Sequence, residues 1–418
     1  MKNFLLALLV AGFPAAAGAQ EYFIGEEVFR YYARPFRDRA ERFQSARADA
    51  LQMRLAVNDE SDGLTLENWG DNRADLRAGD SSLKAEANFT GGSHYSPAEW
   101  DVSGNRLGAY GRFGRLEFEG LYIAQKSEKL NTATRSEFNR LSGGVGMAFG
   151  PEELSFGLHA NVNRAGDEDW EEVTSNNSAG AALALKTDLY ELGLTADIVD
   201  RGTTDDSNNY KVPRSGPQFG AQAMLKPFAG LKAALRAGIA NLKGDNAHDG
   251  ATVYNNYKAD LNETGARLEW RLEGLPLTLG LEYAKMLYET SYTGSSSKTD
   301  ATLKTAGAAL RLLDERLVIG GEAQDLRLDT GSGKSKGQAI TGGVELWILP
   351  GLAARGSYQL MHTESGTSEQ DNNCLAAGLG FKGESFTLDG AVRVNTQDED
   401  AADPDKYTDI RVVLGLKF

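Results

Sequence analysis

Tyr407-Thr-Asp-Ile-Arg-Val-Val-Leu-Gly-Leu-Lys-Phe418 ends the chain, and in it Ile410, Val412, Leu414, Leu416 and Phe418 alternate with Asp409, Arg411, Val413, Gly415 and Lys417. Successive side chains of an extended strand point to opposite faces, so this segment has one apolar and one largely polar face. The pattern recurs upstream. Leu154, Phe156, Leu158, Ala160 and Val162 interleave with Ser155, Gly157, His159 and Asn161, and Leu352, Ala354, Gly356, Tyr358 and Leu360 interleave with Ala353, Arg355, Ser357 and Gln359. Phe386, Leu388, Gly390, Val392 and Val394 do the same against Thr387, Asp389, Ala391 and Arg393.

From Leu83 onward the repeating unit is an alternating segment, a very short turn, a second alternating segment and a longer polar loop, which reads as a series of β-hairpins. The tight turns fall at Phe113-Gly114, Gly150-Pro151-Glu152, Thr187-Asp188, Pro227 to Gly230, Glu273 to Pro276, Asp314-Glu315, Pro350-Gly351 and Gly383-Glu384. Long loops are expected over Asn163 to Ser178, Asp200 to Ser215, Leu242 to Leu261 and Thr396 to Lys406. Segments of roughly 9 to 11 residues suit a tilted membrane crossing. Counting them predicts about 18 strands, within a range of about 16 to 20. Leu51 to Val57 with Leu64 to Trp69 would form one more hairpin, and Ala301 to Leu313 shifts its apolar parity midway. The expected fold class is all-β, a transmembrane antiparallel up-and-down β-barrel with a short N-terminal helical segment.

Residues 1–19 read as a signal peptide, with Lys2 as the basic n-region, Phe4 to Phe13 as the apolar stretch and Ala17-Gly18-Ala19 as the cleavage site before Gln20. The formal charge of -15 becomes more negative by one when Lys2 leaves, and an acidic chain argues against nucleic acid as a partner. Cys374 is the only cysteine, which excludes an intramolecular disulfide and a thiolate metal cluster. The mean hydropathy is -0.40 and no transmembrane helix is encoded after residue 19, but alternating strands dilute their hydrophobicity and can still span. Forty-eight glycines against ten prolines suit many short strands and turns.

A secretory signal, a hairpin repeat and a final alternating strand ending on Phe418 together resemble bacterial outer-membrane β-barrel proteins of the porin-like class. The final strand, with Ile410, Val412, Leu414, Leu416 and Phe418, resembles the targeting strand of that class, although Val413 stands where the class usually carries Gly. The resemblance implies location in the bacterial outer membrane, insertion by the barrel assembly machinery, contact with outer-membrane lipid and lipopolysaccharide, short turns on the periplasmic side and a possible homo-oligomer.

The division expected is a signal peptide at 1–19, a periplasmic or plug segment at 20–80 and a barrel at 81–418. In the middle part Phe29, Tyr32, Phe36, Ala40 and Phe43 recur at helical spacing beside Arg30, Arg34, Arg37, Arg39 and Arg42, with a break at Pro35. Phe29, Tyr32, Arg34, Phe36, Arg37 and Phe43 are the plug candidates. The alternative is a loosely held leader at the barrel mouth.

With the apolar set of each strand facing lipid, the polar set faces the lumen. The candidate pore-lining charges are Arg112, Glu117, Glu119, Arg140, Arg236, Arg267, Glu269, Arg271, Glu282, Glu322, Glu345, Arg355, Asp389 and Arg393. Arg267, Glu269 and Arg271 are successive lumen positions on one strand and the best candidates for a ladder. The bland reading is that opposite signs on neighbouring strands pair and stiffen the wall. The net negative charge is placed in loops, where it sets surface hydration rather than pore selectivity.

Gly331-Ser-Gly333-Lys334-Ser335 lacks the first glycine of a phosphate-binding loop, Leu328 standing there, and joins two expected strands. His94, His159, His248 and His362 share no paired-ligand spacing, so no metal, cofactor or enzymatic chemistry is expected. A barrel of this size points to passive diffusion of small polar solutes or ions. The alternatives are a non-conducting scaffold or surface-interaction barrel, and a plugged carrier for a hydrophobic solute. A lumen face rich in Gly, Ala, Ser and charge counts against the carrier.

Overall fold

The computed structural model describes residues 81–417, apart from 97, 114–115, 130–134, 150–153, 168–171, 206–209, 245–246, 250–251, 255–256, 273, 293–294, 314–315, 331–332, 367, 383–385 and 400–404. On residues 81–140 it is the backbone that is described. The signal peptide at 1–19, the segment at 20–80 with its plug candidates, the hairpin between 51 and 69, and Phe418 lie outside the described residues.

Nine strands come first: β1 (Ser81–Ser96), β2 (Ala98–Phe113), β3 (Leu116–Lys129), β4 (Arg135–Phe149), β5 (Leu154–Asp167), β6 (Glu172–Lys186), β7 (Tyr190–Asp205), β8 (Tyr210–Phe228) and β9 (Leu231–Gly244). Two three-residue strands, β10 (Ala247–Asp249) and β11 (Thr252–Tyr254), form a small hairpin. Nine more follow: β12 (Tyr257–Arg271), β13 (Leu277–Tyr292), β14 (Ser295–Leu312), β15 (Leu317–Asp329), β16 (Lys334–Leu349), β17 (Leu352–Ser365), β18 (Ser368–Lys382), β19 (Phe386–Glu399) and β20 (Asp405–Lys417). Each long strand pairs antiparallel with its neighbour, β9 passes directly to β12, and β20 pairs with both β19 and β1. The eighteen long strands therefore close into a barrel with no edge, as the sequence predicts.

The long strands run from 13 to 19 residues, about 3.3 Å each, well beyond what a hydrocarbon layer requires. Here the structure corrects the sequence reading. Asn163 to Ser178, Asp200 to Ser215, Leu242 to Leu261 and Thr396 to Lys406 are expected as loops, but the first, second and fourth are mostly continuations of the wall, and the third begins and ends in it, with the β10–β11 hairpin between. Their polar residues suit an extended strand whose outer face meets water.

The expected parity shift in Ala301 to Leu313 has the same origin. β14 is continuous and keeps its register with β13 and β15 throughout. What changes is which face is apolar. Toward the short turns, exposed Leu279, Leu281, Ile319, Val344 and Leu346 mark an apolar outer band, while Thr278, Thr305, Glu322, Thr341 and Glu345 are buried on the opposite face. Toward the loops the pattern inverts. Exposed Lys258, Asn241 and Asp200 lie outside, and Leu242, Leu261 and Val199 are buried inside. Val199, Ala240, Leu242, Ala259 and Leu261, with Tyr257, Met286 and Tyr288 against them, form one apolar cluster across β7, β9, β12 and β13.

The turn between β8 and β9 depends on glycine. Gly230 has φ 82° and its carbonyl accepts the Arg271 N–H at 2.7 Å, while a Cβ there would lie 2.3 Å from the Arg271 carbonyl oxygen. Gly274 has φ 75° but nothing within 4 Å of a Cβ. Gly230→Ala is therefore expected to destabilise by about 2 to 3 kcal/mol and Gly274→Ala by about 1. Urea midpoints followed by tryptophan fluorescence check the difference, and equal losses would refute the contact argument.

Candidate functional site in the barrel interior

Parity along each strand places all fourteen candidate pore-lining positions on the side opposite the exposed apolar band. Register then pairs opposite signs. Arg112 stands opposite Glu117, Arg267 opposite Glu282, Glu269 opposite Lys232, Glu345 opposite Arg355, and Arg393 opposite Asp409. Of the stretch Arg267, Glu269, Arg271, the first two positions stand opposite complementary charge across the register, and Arg271 sits exposed at the turn end opposite Thr278. Arg140 stands opposite Ile123 and Ala165, Glu119 opposite Tyr110 and Gly144, Arg236 opposite Gln222 and Gly265, and Asp389 opposite Gly380 and Val413.

Two of the carboxylates are held by local donors. Glu345 accepts from the Trp347 indole N–H at 2.7 Å, and Glu322 accepts from the Gln324 amide. Both are buried, and ionic groups in such places need hydrogen bonds to offset desolvation.

A second constellation lies nearer the loops and is absent from the sequence expectations. The buried Arg214 guanidinium donates to the Tyr288 hydroxyl, and its Cζ stands 5.8 Å from the Tyr257 ring centroid. Tyr257 stacks on Tyr292 with centroids 6.3 Å apart and planes 5° from parallel. Beside them lies the aliphatic wall of Val199, Leu242, Leu261 and Met286. A cation on tyrosine faces next to aliphatic surface suits an amphipathic group: the ring quadrupole balances the cation, and the wall takes apolar area from water.

These residues escape the sequence reading because Asp200 to Ser215 and Leu242 to Leu261 look like loops. The signal that was there is the alternation Tyr257, Ala259, Leu261 against Lys258, Asp260, Asn262, opposite in phase to Leu268 and Trp270 on the same strand. Arg214 carries no local sign, since Tyr288 lies 74 residues away.

His362 bonds Asp371 at 2.8 Å and Glu364 at 3.3 Å, on the outer parity shared with exposed Tyr358 and Leu360, away from the interior. The Gly331 to Ser335 stretch joins β15 to β16, with the Thr330 N–H and hydroxyl both donating to the Gly333 carbonyl at 3.0 and 3.1 Å. Among the described residues no group of three or more His, Cys, Asp or Glu could hold a metal ion.

No known protein family and no curated protein matches the chain. Among solved structures it is similar to Acinetobacter baumannii OccAB2, at 11% identity and TM-score 0.42, covering 81% of this chain and 98% of that one. It is also similar to Pseudomonas aeruginosa OccK3 (OpdO), at 15% identity and TM-score 0.43, covering 81% and 95%. CdiB from Acinetobacter baumannii stands at 11% identity and TM-score 0.45, covering 80% of this chain and 60% of that one. The barrel assignment rests on the strand order and closure of this chain itself.

Proposed function

We propose that this chain is a bacterial outer-membrane, porin-like channel that passes small polar solutes or ions without covalent chemistry. The observation that carries the reading is the closed wall whose turn-side half is apolar outside and polar inside. Such a wall is stable only with lipid around it and polar groups or water within it. Seven of the fourteen charged positions are basic and seven acidic, and eight of them stand opposite a complementary charge across the register, so neither sign dominates the passage. The burial of Glu322 and Glu345 on the inner face, together with the apolar cluster toward the loops, makes the conduit narrow, and passage then needs an opening step. Residues 20–80 act as the plug, with Phe29, Tyr32, Arg34, Phe36, Arg37 and Phe43 at its inserted face. The final strand, with Ile410, Val412, Leu414, Leu416 and Phe418, addresses the chain to the barrel assembly machinery. Lipopolysaccharide surrounds the loop side, and self-association is open to crosslinking tests.

The experiment is conductance in planar bilayers, comparing the full mature chain with one lacking residues 21–48. The full chain is expected to give small stable steps, and the shortened chain larger ones. Silence from both would sink the channel.

A second reading is favoured by the constellation at Arg214, Tyr257, Tyr288 and Tyr292. An amphipathic solute would rest its apolar part on Leu242, Leu261 and Met286 and its polar end at Arg214. Saturable binding by a chain that does not conduct would establish it over the channel.

A further inference from the structure

The outer face carries a groove of about 910 Å3 spanning β8, β9 and β12 to β16. Its walls include Leu235, Leu268, Leu281 and Ile340, with Ala306 and Ala323 leaving space between them. One edge is polar and lies along a single line of register, Tyr283 opposite Lys304, Lys304 opposite Asp325, and Asp325 opposite Gln338. All four of these residues line the groove, at the height where the outer face changes from apolar to charged.

The charges beyond that edge are mostly matched. Lys285 pairs with Asp300 at 2.8 Å, Lys298 with Glu289 at 2.7 Å, Arg327 with Asp325 at 3.0 Å, Lys334 with Asp329 at 3.5 Å, and Lys336 with Glu364 at 3.6 Å. Lys304 is exposed and has no ion-pair partner among the described residues, because Arg327 engages the carboxylate opposite it. Glu282, which also lines the groove, is on the inward parity and stands opposite Arg267.

The geometry points to a binding site for one phosphate-bearing membrane lipid, with an acyl chain in the groove and the phosphate at Lys304. The inference rests on the apolar band lying in a membrane, as the proposed function requires. An acyl chain fills a slot that small side chains leave in the lipid-facing wall. Lys304 then meets the headgroup phosphate at the interface, with the Tyr283 hydroxyl as a donor on one neighbouring strand and Asp325, neutralised by Arg327, on the other. A lone cation at an apolar edge selects an anionic headgroup over a zwitterionic one.

The test is native mass spectrometry of the mature chain extracted from vesicles of equal parts phosphatidylglycerol and phosphatidylcholine, after insertion and conductance have been measured on the same samples. Wild type is expected to retain phosphatidylglycerol preferentially. Lys304→Gln should cut that preference about fivefold, the worth of one interfacial cation. Ala323→Trp should lower retention of both lipids by filling the slot, and excess inorganic phosphate should leave retention unchanged. Equal preference in wild type and Lys304→Gln, or displacement by inorganic phosphate, overturns the site. A chain that inserts and retains the lipid but does not conduct refutes the channel and leaves the site standing. A chain that does not insert overturns both.

Discussion

Deleting Asp405–Lys417 should abolish the folded barrel. β20 pairs along its length with β1 on one side and β19 on the other, twelve register partners each. Its loss turns a closed wall into an open sheet with two long edges. Water can satisfy exposed N–H and C=O groups, but hydrocarbon cannot, and each unsatisfied group there costs several kcal/mol. Even a few such groups exceed the total stability of an ordinary domain, about 5 to 15 kcal/mol. Loss of the compact, heat-modifiable band on gels and full protease sensitivity in vesicles are the expected readouts. Removing residues 247–254 is the control, because β10 and β11 pair with each other and touch the wall at one register pair, His248 with Lys211. If the β20 deletion folds as well as that control, closure through the last strand is not what holds the wall.

The second large effect is depth-dependent and can be read along one strand. Leu379 on β18 is 58% exposed within the apolar band, and Asn373 lies on the same outer parity just past exposed Leu375. With the band in hydrocarbon, Leu379→Arg should cost about 2 to 4 kcal/mol and Asn373→Arg about 0 to 1. Unfolding free energies in vesicles give both numbers. Equal and small costs would mean that the band at Leu379 faces water, and the outer-membrane reading would fall with it.

Alternation over Ile410 to Leu416, Leu154 to Val162 and Leu352 to Leu360 is a local property, carried by side chains two residues apart. It determined from sequence alone that these segments are strands, which parity is apolar and, with the tight turns, that the sheet is antiparallel with about the observed number of strands. The inward set of charges followed from the same parity. The extent of each strand did not, since Asp200 to Ser215 and Leu242 to Leu261 were read against lipid as the only solvent. Past the apolar band the outer face meets water, so the same period of two continues with its faces exchanged, and Leu303, Leu326 and Leu328 on the inward parity look like a break when they are a continuation. Which charge faces which, Arg267 with Glu282 or Glu345 with Arg355, was decided by register between strands. The meeting of Arg214 with Tyr288 was decided by the curl of the wall across β8 to β13. Local periodicity records the direction of each side chain, and only the closed barrel determines what lies in that direction.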